Sequence, residues 1–301
     1  MQVQCYNSYS STTAERIGGG EPGTICTRRM ETDDCSISFI ESSSGKYVVK
    51  QIKDPSPDEQ FLLVVDALSC HIAASAHIPM NRVTLLAPNS GVQGQWKAAF
   101  PATLHEMVAG VSVDHACRYQ DINVHQRFRR ENSPRWDRWG PLAPEESGLT
   151  LTVIQNMARH RDLPGIVALD TFVGNADRSA PNLFYDAACD RFCGIDMAAS
   201  FCAPLAQEAC KQLRALENVA WTQEERRALA EYAHTLEGLI KNWPPERQEV
   251  ALLDYAQAGG FVQGSTLCDI DVIHRMEFHK RCMRENYEQS LELIKMLTPF
   301  T

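Results

Sequence analysis

The residues in this 301-residue chain whose types could do chemistry concentrate between Ala168 and Met197. Asp177 is followed five residues later by Asn182. Fourteen residues further on comes Asp196, at the end of the short apolar run Phe192–Ile195. This is the set that phosphoryl transfer needs. One carboxylate accepts the hydroxyl proton or orients the nucleophile, while an amide oxygen and a second carboxylate hold Mg²⁺ against the phosphates. Hard oxygen ligands suit that ion, and the ion offsets charge on the transferring group. Upstream, Val48-Val49-Lys50 places a lysine on a strand, where it could pair with the α- and β-phosphates, and Glu59 opens the next helix within reach of it. Taken singly, Asp177 and Asn182 are ordinary turn formers, Lys50 a solvated strand lysine and Glu59 a helix cap. Their joint presence carries the reading, in the order glycine turn, strand Lys, helix Glu, Asp-x₄-Asn, strand Asp.

The elements that must position these groups follow from pattern. Residues 1–17 are a polar tail, and Gly18-Gly19-Gly20 with Gly23 makes a glycine-rich turn. Ser36 to Ile40 alternates polar and apolar as a half-buried strand does, Ser42–Gly45 is a hairpin turn, and Lys46 to Ile52 is a second strand. Ser56, Pro57 and Glu59 form a helix start. Leu62, Val65, Leu68 and Ile72 then recur at helical steps. Residues 81–87 and 98–108 read as further strands. After a polar loop at about 125–148, residues 149–162 read as a helix. Residues 166–172 are apolar without a resolvable period. Two short strands meet at the turn 186–191, and four helical stretches fill the C-terminal third. The clearest of these starts at the capping pair Thr222/Glu225. The expected fold is therefore α+β and two-lobed. Its units are a tail (1–17), a β-rich lobe with one main helix and a hinge (18–108), and a mainly helical lobe (109–301).

Composition sets bounds. Hydrophobic residues at 44% and charged residues at 22% exclude a mainly disordered chain. The balance of 29 basic against 38 acidic residues, net −9, argues against a general nucleic-acid or anionic-membrane coat. Eleven cysteines without C-x-x-C spacing read as reduced thiols of a cytoplasmic protein. The apolar run 61–80 is interrupted by Asp66, His71 and His77 and reads as a buried helix, not a membrane span. Asp170 and Asn175 read as loop scaffolding and Asp190 as a solvated hairpin charge. Arg178 divides between an ion-pair role and substrate contact. His105, His160, His274 and His279 read as plain surface or packed residues. The stretch 126–140 carries Arg127, Arg129, Arg130, Arg135 and Arg138 among Phe128, Trp136 and Trp139. It reads first as a solvated insertion anchored by its tryptophans, and second as a dock for an acidic or phosphorylated partner or single-stranded nucleic acid.

Asn175-Ala-Asp177-Arg178 through Asn182, with Ile195-Asp196, resembles the catalytic segment of the HipA-like and phosphatidylinositol 3-/4-kinase-like branch of the protein kinase superfamily. Tyr47 to Lys50, Asp58 to Phe61, Ile78-Pro79 and the stretch Leu104 to Gly110 resemble its N-terminal lobe and hinge, so the resemblance covers roughly residues 18–205. It implies ATP and Mg²⁺ as cofactors. Asp177 would be the catalytic base or nucleophile orienter, Asn182 and Asp196 the metal ligands, Lys50 the phosphate-binding lysine and Glu59 its partner. The backbone of Glu106, Met107 and Val108 would meet the adenine edge, and the turn holding Gly19, Gly20, Gly23 and Thr24 would cover the phosphates. The sequence departs from the family pattern at Ser179, where a histidine is usual, and at Met197-Ala198, which replace a glycine-containing turn. No Ala-Pro-Glu element follows Asp196 to mark the end of a long activation segment. The implied activity is phosphorylation of protein Ser/Thr hydroxyls. Open beside it stand a phosphoinositide or small-molecule kinase, a nucleotide-binding pseudokinase module, and nucleotidyl transfer on the same fold. The family's company extends the expectation to a bacterial toxin or effector delivered into a host cell.

Overall fold

The computed structural model describes residues 25–31, 35–42, 45–53, 56–87, 91–92, 96–97, 101–113, 149–178, 180–263, 266–267 and 269–300. The glycine turn with Gly19, Gly20, Gly23 and Thr24, the Arg/Trp stretch 126–140 and Ser179 lie outside the described residues.

The first lobe is an antiparallel sheet of strands β1 (Ile25–Glu31), β2 (Cys35–Ser42), β3 (Gly45–Ile52), β4 (Val83–Leu86) and β7 (Ala102–Glu106), in the order β1-β2-β3-β7-β4. A small hairpin, β5 (Gly91–Val92) and β6 (Trp96–Lys97), stands apart from it. The β2–β3 hairpin closes with Ser42 opposite Gly45, which sets Ile37 opposite Lys50 and Phe39 opposite Val48. Because side chains alternate along a strand, Val48 and Lys50 share one face and Val49 takes the other. Val48 in turn stands opposite His105 on β7. One face of the sheet therefore presents Ile37, Phe39, Val48, Lys50 and His105 together. The other buries Ile40, Val49 and Ala102, with Leu86 and Leu104 against them.

Two helices interrupt the sheet's strands, α1 (Pro57–Gln60) and α2 (Leu62–Ser75). Helix α2 carries ten buried residues out of fourteen, including Leu63, Val65, Leu68 and Ile72. Helix α2 lies in the main hydrophobic core with residues of the second lobe, and Val83 and Leu85 of β4 pack against that core, while the sheet also keeps a small cluster of its own.

The second lobe holds α3 (Leu151–Met157), α4 (Leu163–Val173), α5 (Leu205–Ala215), α6 (Gln223–Asn242), α7 (Pro245–Ala258) and α8 (Ile270–Leu297), with a three-stranded sheet of β8 (Val111–Ser112), β9 (Leu183–Asp186) and β10 (Arg191–Gly194) in the order β10-β9-β8. A small hairpin, β11 (Val262–Gln263) and β12 (Thr266–Leu267), precedes α8. The helix expected over 149–162 ends at Met157. The apolar segment 166–172 is the middle of α4, which starts anew at Leu163–Pro164 and stops at Gly174 in the left-handed conformation (φ 63°). In α4 every residue but Gly165 is buried, so it has no polar face and shows no helical period in sequence. Of the strand expected over 98–108, the described residues show Ala102–Glu106 as strand, and β1 is a strand the sequence reading did not contain. Thr222 and Glu225 form the expected capping box: Thr222 Oγ1 accepts from the Glu225 amide at 3.2 Å and Glu225 Oε2 from the Thr222 amide at 2.8 Å.

The lobes join at a parallel bridge between the chain after α2 and β10. The Asn81 amide donates to Gly194 O at 3.0 Å, and the Gly194 amide to Pro79 O at 3.0 Å. A Cβ at 194 would meet Met80 Sδ, so any side chain there would have to displace the end of the Met80 side chain. The architecture is α+β and two-lobed: an antiparallel sheet with one main helix, followed after β7 by a mainly helical body. Seven described cysteines are all free thiols, and no described helix is long and apolar enough to cross a membrane.

Candidate active site

The short 3₁₀ turn Ala180–Asn182 leads directly into β9, and β10 delivers Asp196 two residues past its end, so one hairpin sets the spacing between Asn182 and Asp196. The ends are tied across the hairpin, since the Ile195 amide donates to Asn182 O at 3.0 Å. Asn182 Nδ2 donates to Asp177 Oδ2 at 3.1 Å and to Asp177 O at 3.0 Å. From the sheet above, Lys50 Nζ reaches Asp196 Oδ1 at 2.9 Å. The structure thus brings Lys50, Asp177, Asn182 and Asp196 to one crevice between the lobes.

Arg178 sets this geometry from beneath. Its guanidinium donates to Asn182 O at 2.6 Å, Ile195 O at 2.7 Å and Asp170 Oδ2 at 2.9 Å, with 4% of the residue exposed. A planar fork with five donors suits such a convergence of carbonyls and carboxylate. Asp170 also accepts from Asn175 Nδ2 at 2.9 Å, and Asn175 Oδ1 accepts from the Asp177 amide at 3.2 Å. The scaffolding reading of Asp170 and Asn175 agrees with these bonds. Arg178 turns inward, on the ion-pair side of the alternative.

The electrostatics follow from burial and neighbours. Burial alone would lower the Lys50 ammonium, but the carboxylates of Asp196 and Asp66 outweigh it and the net shift is upward. Burial alone would raise Asp196, and Lys50 overrides it to hold that carboxyl below its usual range. Asp177 moves the other way: burial and the charge of Asp196 push it up, against Arg178 and Asn182. The two carboxylates are thereby driven apart, one toward a permanent anion and one toward a proton acceptor.

Beside the Lys50–Asp196 pair opens a cavity of about 230 Å³. Ile37, Phe39 and Val48 roof it, Phe184 and Ile195 floor it, Asn81 and His105 close its back, and Glu106, Met107 and Val108 edge it. At that edge the Glu106 amide donates to Arg82 O at 2.9 Å and the Met107 amide to Lys46 O at 3.0 Å. The Val108 amide has no partner among the described residues. At the back, His105 Nδ1 takes a hydrogen bond from Asn81 Nδ2 at 2.9 Å, which leaves the ring proton on Nε2, facing Thr103 Oγ1 at 2.8 Å and Asp66 Oδ2 at 3.5 Å. Burial lowers the His105 pKa, so the ring is neutral.

Two placements differ from the sequence reading. Glu59 meets Arg275 of α8, with Arg275 Nη2 at 2.8 Å from Glu59 Oε1, while the ion pair of Lys50 is with Asp196. Asp190 is tied down instead of being a solvated hairpin charge: its Oδ1 accepts from His160 Nε2 at 3.0 Å and Tyr185 OH at 2.9 Å. The site residues that sequence reasoning missed are Asp66 and Asn81. Asp66 did carry a signal, as a lone carboxylate inside an apolar helical run.

A magnesium ion fits the donors present. The Asn182 amide spends both N–H groups on Asp177, so its Oδ1 and the Oδ2 of Asp196 are oxygens without a protein donor among the described residues. Among the described residues no group of three His, Cys, Asp or Glu residues gathers there, and Mg²⁺ needs none. It binds through one or two protein oxygens and completes its shell with water and phosphate.

No protein-family model matches the sequence, and no curated protein matches it. Solved structures do align with the fold. A proinflammatory kinase of Helicobacter pylori, CtkA, aligns over 92% of this chain and 95% of its own at 11% identity, with a TM-score of 0.44. HipA from the Shewanella oneidensis toxin–antitoxin complex with HipB and operator DNA aligns over 97% and 68% at 11% identity, with a TM-score of 0.46. An ethanolamine kinase of Plasmodium vivax aligns over 85% and 81% at 10% identity, with a TM-score of 0.30.

Proposed function

We propose that the crevice is the active site of an ATP- and Mg²⁺-dependent phosphotransferase that acts on protein Ser/Thr hydroxyls. The observation that carries this reading is the joining of two side-chain pairs, Lys50–Asp196 and Asp177–Asn182, through Arg178 and the Asn182–Ile195 backbone bond. In this reading the apolar cavity takes the purine, with the Val108 amide offered to its edge. Lys50 meets the phosphates, and Asn182 and Asp196 hold the metal. The metal, when bound, neutralises charge on the phosphates. Asp177, raised by its surroundings, orients the acceptor hydroxyl and takes its proton. A phosphoinositide acceptor is disfavoured because residues 197–210 contain no Lys or Arg and the nearby Arg178 is fully engaged inside the fold.

The test is transfer from γ-labelled ATP with Mg²⁺ to the protein itself and to generic protein acceptors. Asp177→Ala and Asp196→Ala are each expected to lower it by about 10³-fold with the thermal melt unchanged. Undiminished labelling by both variants would contradict the reading.

A further inference from the structure

Asp196 adopts φ 56°, a left-handed conformation that is costly for most side-chain-bearing residues and that Asp tolerates better than most. No glycine follows to relax the turn, because the next residues are Met197 and Ala198. Contacts from outside the turn fix it. The Met197 side chain is clamped: its Sδ lies 2.9 Å from Arg178 Nη2 and 3.4 Å from Asn175 Nδ2. Its backbone amide donates to Asp66 Oδ1 at 3.0 Å, from a carboxylate 131 residues earlier on α2 that is 0% exposed. The other oxygen of Asp66 has no hydrogen bond within 3.5 Å and faces the His105 ring. A buried carboxylate on an apolar helix face is costly, and this one is spent on the amide next to Asp196 while its charge also favours the Lys50 ammonium.

We infer that Asp66 is a positioning residue of this site: it caps the Met197 amide and thereby keeps Asp196 in the left-handed conformation in which its carboxylate meets Lys50. The inference rests on the proposed phosphotransferase reading for its consequence, and on the Asp66–Met197 bond for its geometry. Asp66 touches neither nucleotide nor acceptor. It acts through Asp196, so its loss is felt in metal-dependent binding and turnover and spares metal-free nucleotide binding in the apolar cavity.

The test compares wild type, Asp66→Leu and Asp66→Asn, the last of which keeps an acceptor oxygen for the amide. Fluorescent mant-ATP is titrated first in EDTA and then with rising Mg²⁺. Asp66→Leu is expected to bind mant-ATP in EDTA within about threefold of wild type, to need about tenfold more Mg²⁺, and to transfer phosphate about 100-fold more slowly. Asp66→Asn is expected to recover both metal-linked properties to within about fivefold. An unchanged Mg²⁺ requirement in Asp66→Leu, or an Asp66→Asn as impaired as Asp66→Leu, would overturn the inference. Hydrogen exchange at the Met197 amide gives a readout free of nucleotide. Protection of about 100-fold in folded wild type is expected, as for a buried bonded amide, and exchange at the free rate would overturn the inference even if Asp66→Leu does not fold. Absence of Mg²⁺-dependent mant-ATP binding by wild type, with the amide protected, would instead count against the phosphotransferase reading alone.

Discussion

Helix α2 and the five-stranded sheet are neighbours in the chain and both face the crevice, but their anchoring differs. Phe61, just ahead of α2, is fully buried between Phe261 and His279, with ring centroids at 5.4 and 6.0 Å. At the far end Trp243 Nε1 donates to Ser75 Oγ at 2.8 Å, and Arg275 holds Glu59 near the start. The sheet, by contrast, has a described cluster of three fully buried apolar residues, Ile40, Val49 and Ala102. Burial scales with stabilisation, so α2 is anchored deep in the main core, whereas the described apolar cluster on the sheet is small. The consequence for the site is direct. Asp66 on α2 is bonded to the turn beside Asp196, and Lys50 arrives from the sheet.

That contrast can be broken or sharpened in three ways. Lys50→Ala acts on the sheet side. It is expected to lower phosphate transfer by about 10³-fold, about 4 kcal/mol of barrier, while shifting the thermal melt little. A melt that collapses with activity would make Lys50 structural. Next, two aliphatic residues of similar size are compared in urea unfolding. Leu68→Ala on α2 is expected to cost about 4 kcal/mol, and Ile40→Ala in the sheet about 2 kcal/mol, because a thin cluster collapses around the deletion more easily. Equal costs would erase the difference in anchoring. Finally, His279 sits at the join of α2 with α8. Burial lowers its pKa to about 4, and its Nδ1 faces Phe201 O at 3.2 Å. Between pH 6.5 and about 4 the unfolded chain takes up a proton at this ring that the folded chain refuses. Stability from this group is therefore full above 6.5 and lost as pH falls toward 4, by up to about 3 kcal/mol. Urea midpoints of wild type and His279→Leu at pH 7.5 and 4.5 check this; the variant is expected to lose less stability on acidification, and an equal loss in both would remove His279 from the join.

Much of this arrangement was legible in the sequence because it is written in local pattern. The β2–β3 hairpin, Lys50 on β3, the Thr222/Glu225 cap and the strands 183–186 and 191–194 all depend on neighbours within a few residues. What was not legible depends on distant partners or on full burial. Helix α4 has no polar face, so periodicity could not reveal it. Glu59 looked like the natural partner of Lys50 nine residues away, yet it meets Arg275, 216 residues on. Arg178 could not be read as inward-facing until the two carbonyls it binds were placed, and Asp66 gave only the clue of a charge in an apolar stripe. The spacing of Asp177, Asn182 and Asp196 was visible, but the left-handed turn at Asp196, which a glycine would have advertised, was hidden by Met197 and Ala198.

The central claim is that one crevice holds nucleotide, metal and acceptor in the order the side chains define. The most direct measurement is a crystal structure with a non-hydrolysable ATP analogue and Mg²⁺. The account expects the purine between Val48 and Ile195 with its edge at the Val108 amide, the phosphates at Lys50, and the metal on Asn182 and Asp196. An analogue bound elsewhere, or lying reversed with its purine at Asp177 and its phosphates in the apolar cavity, would contradict it.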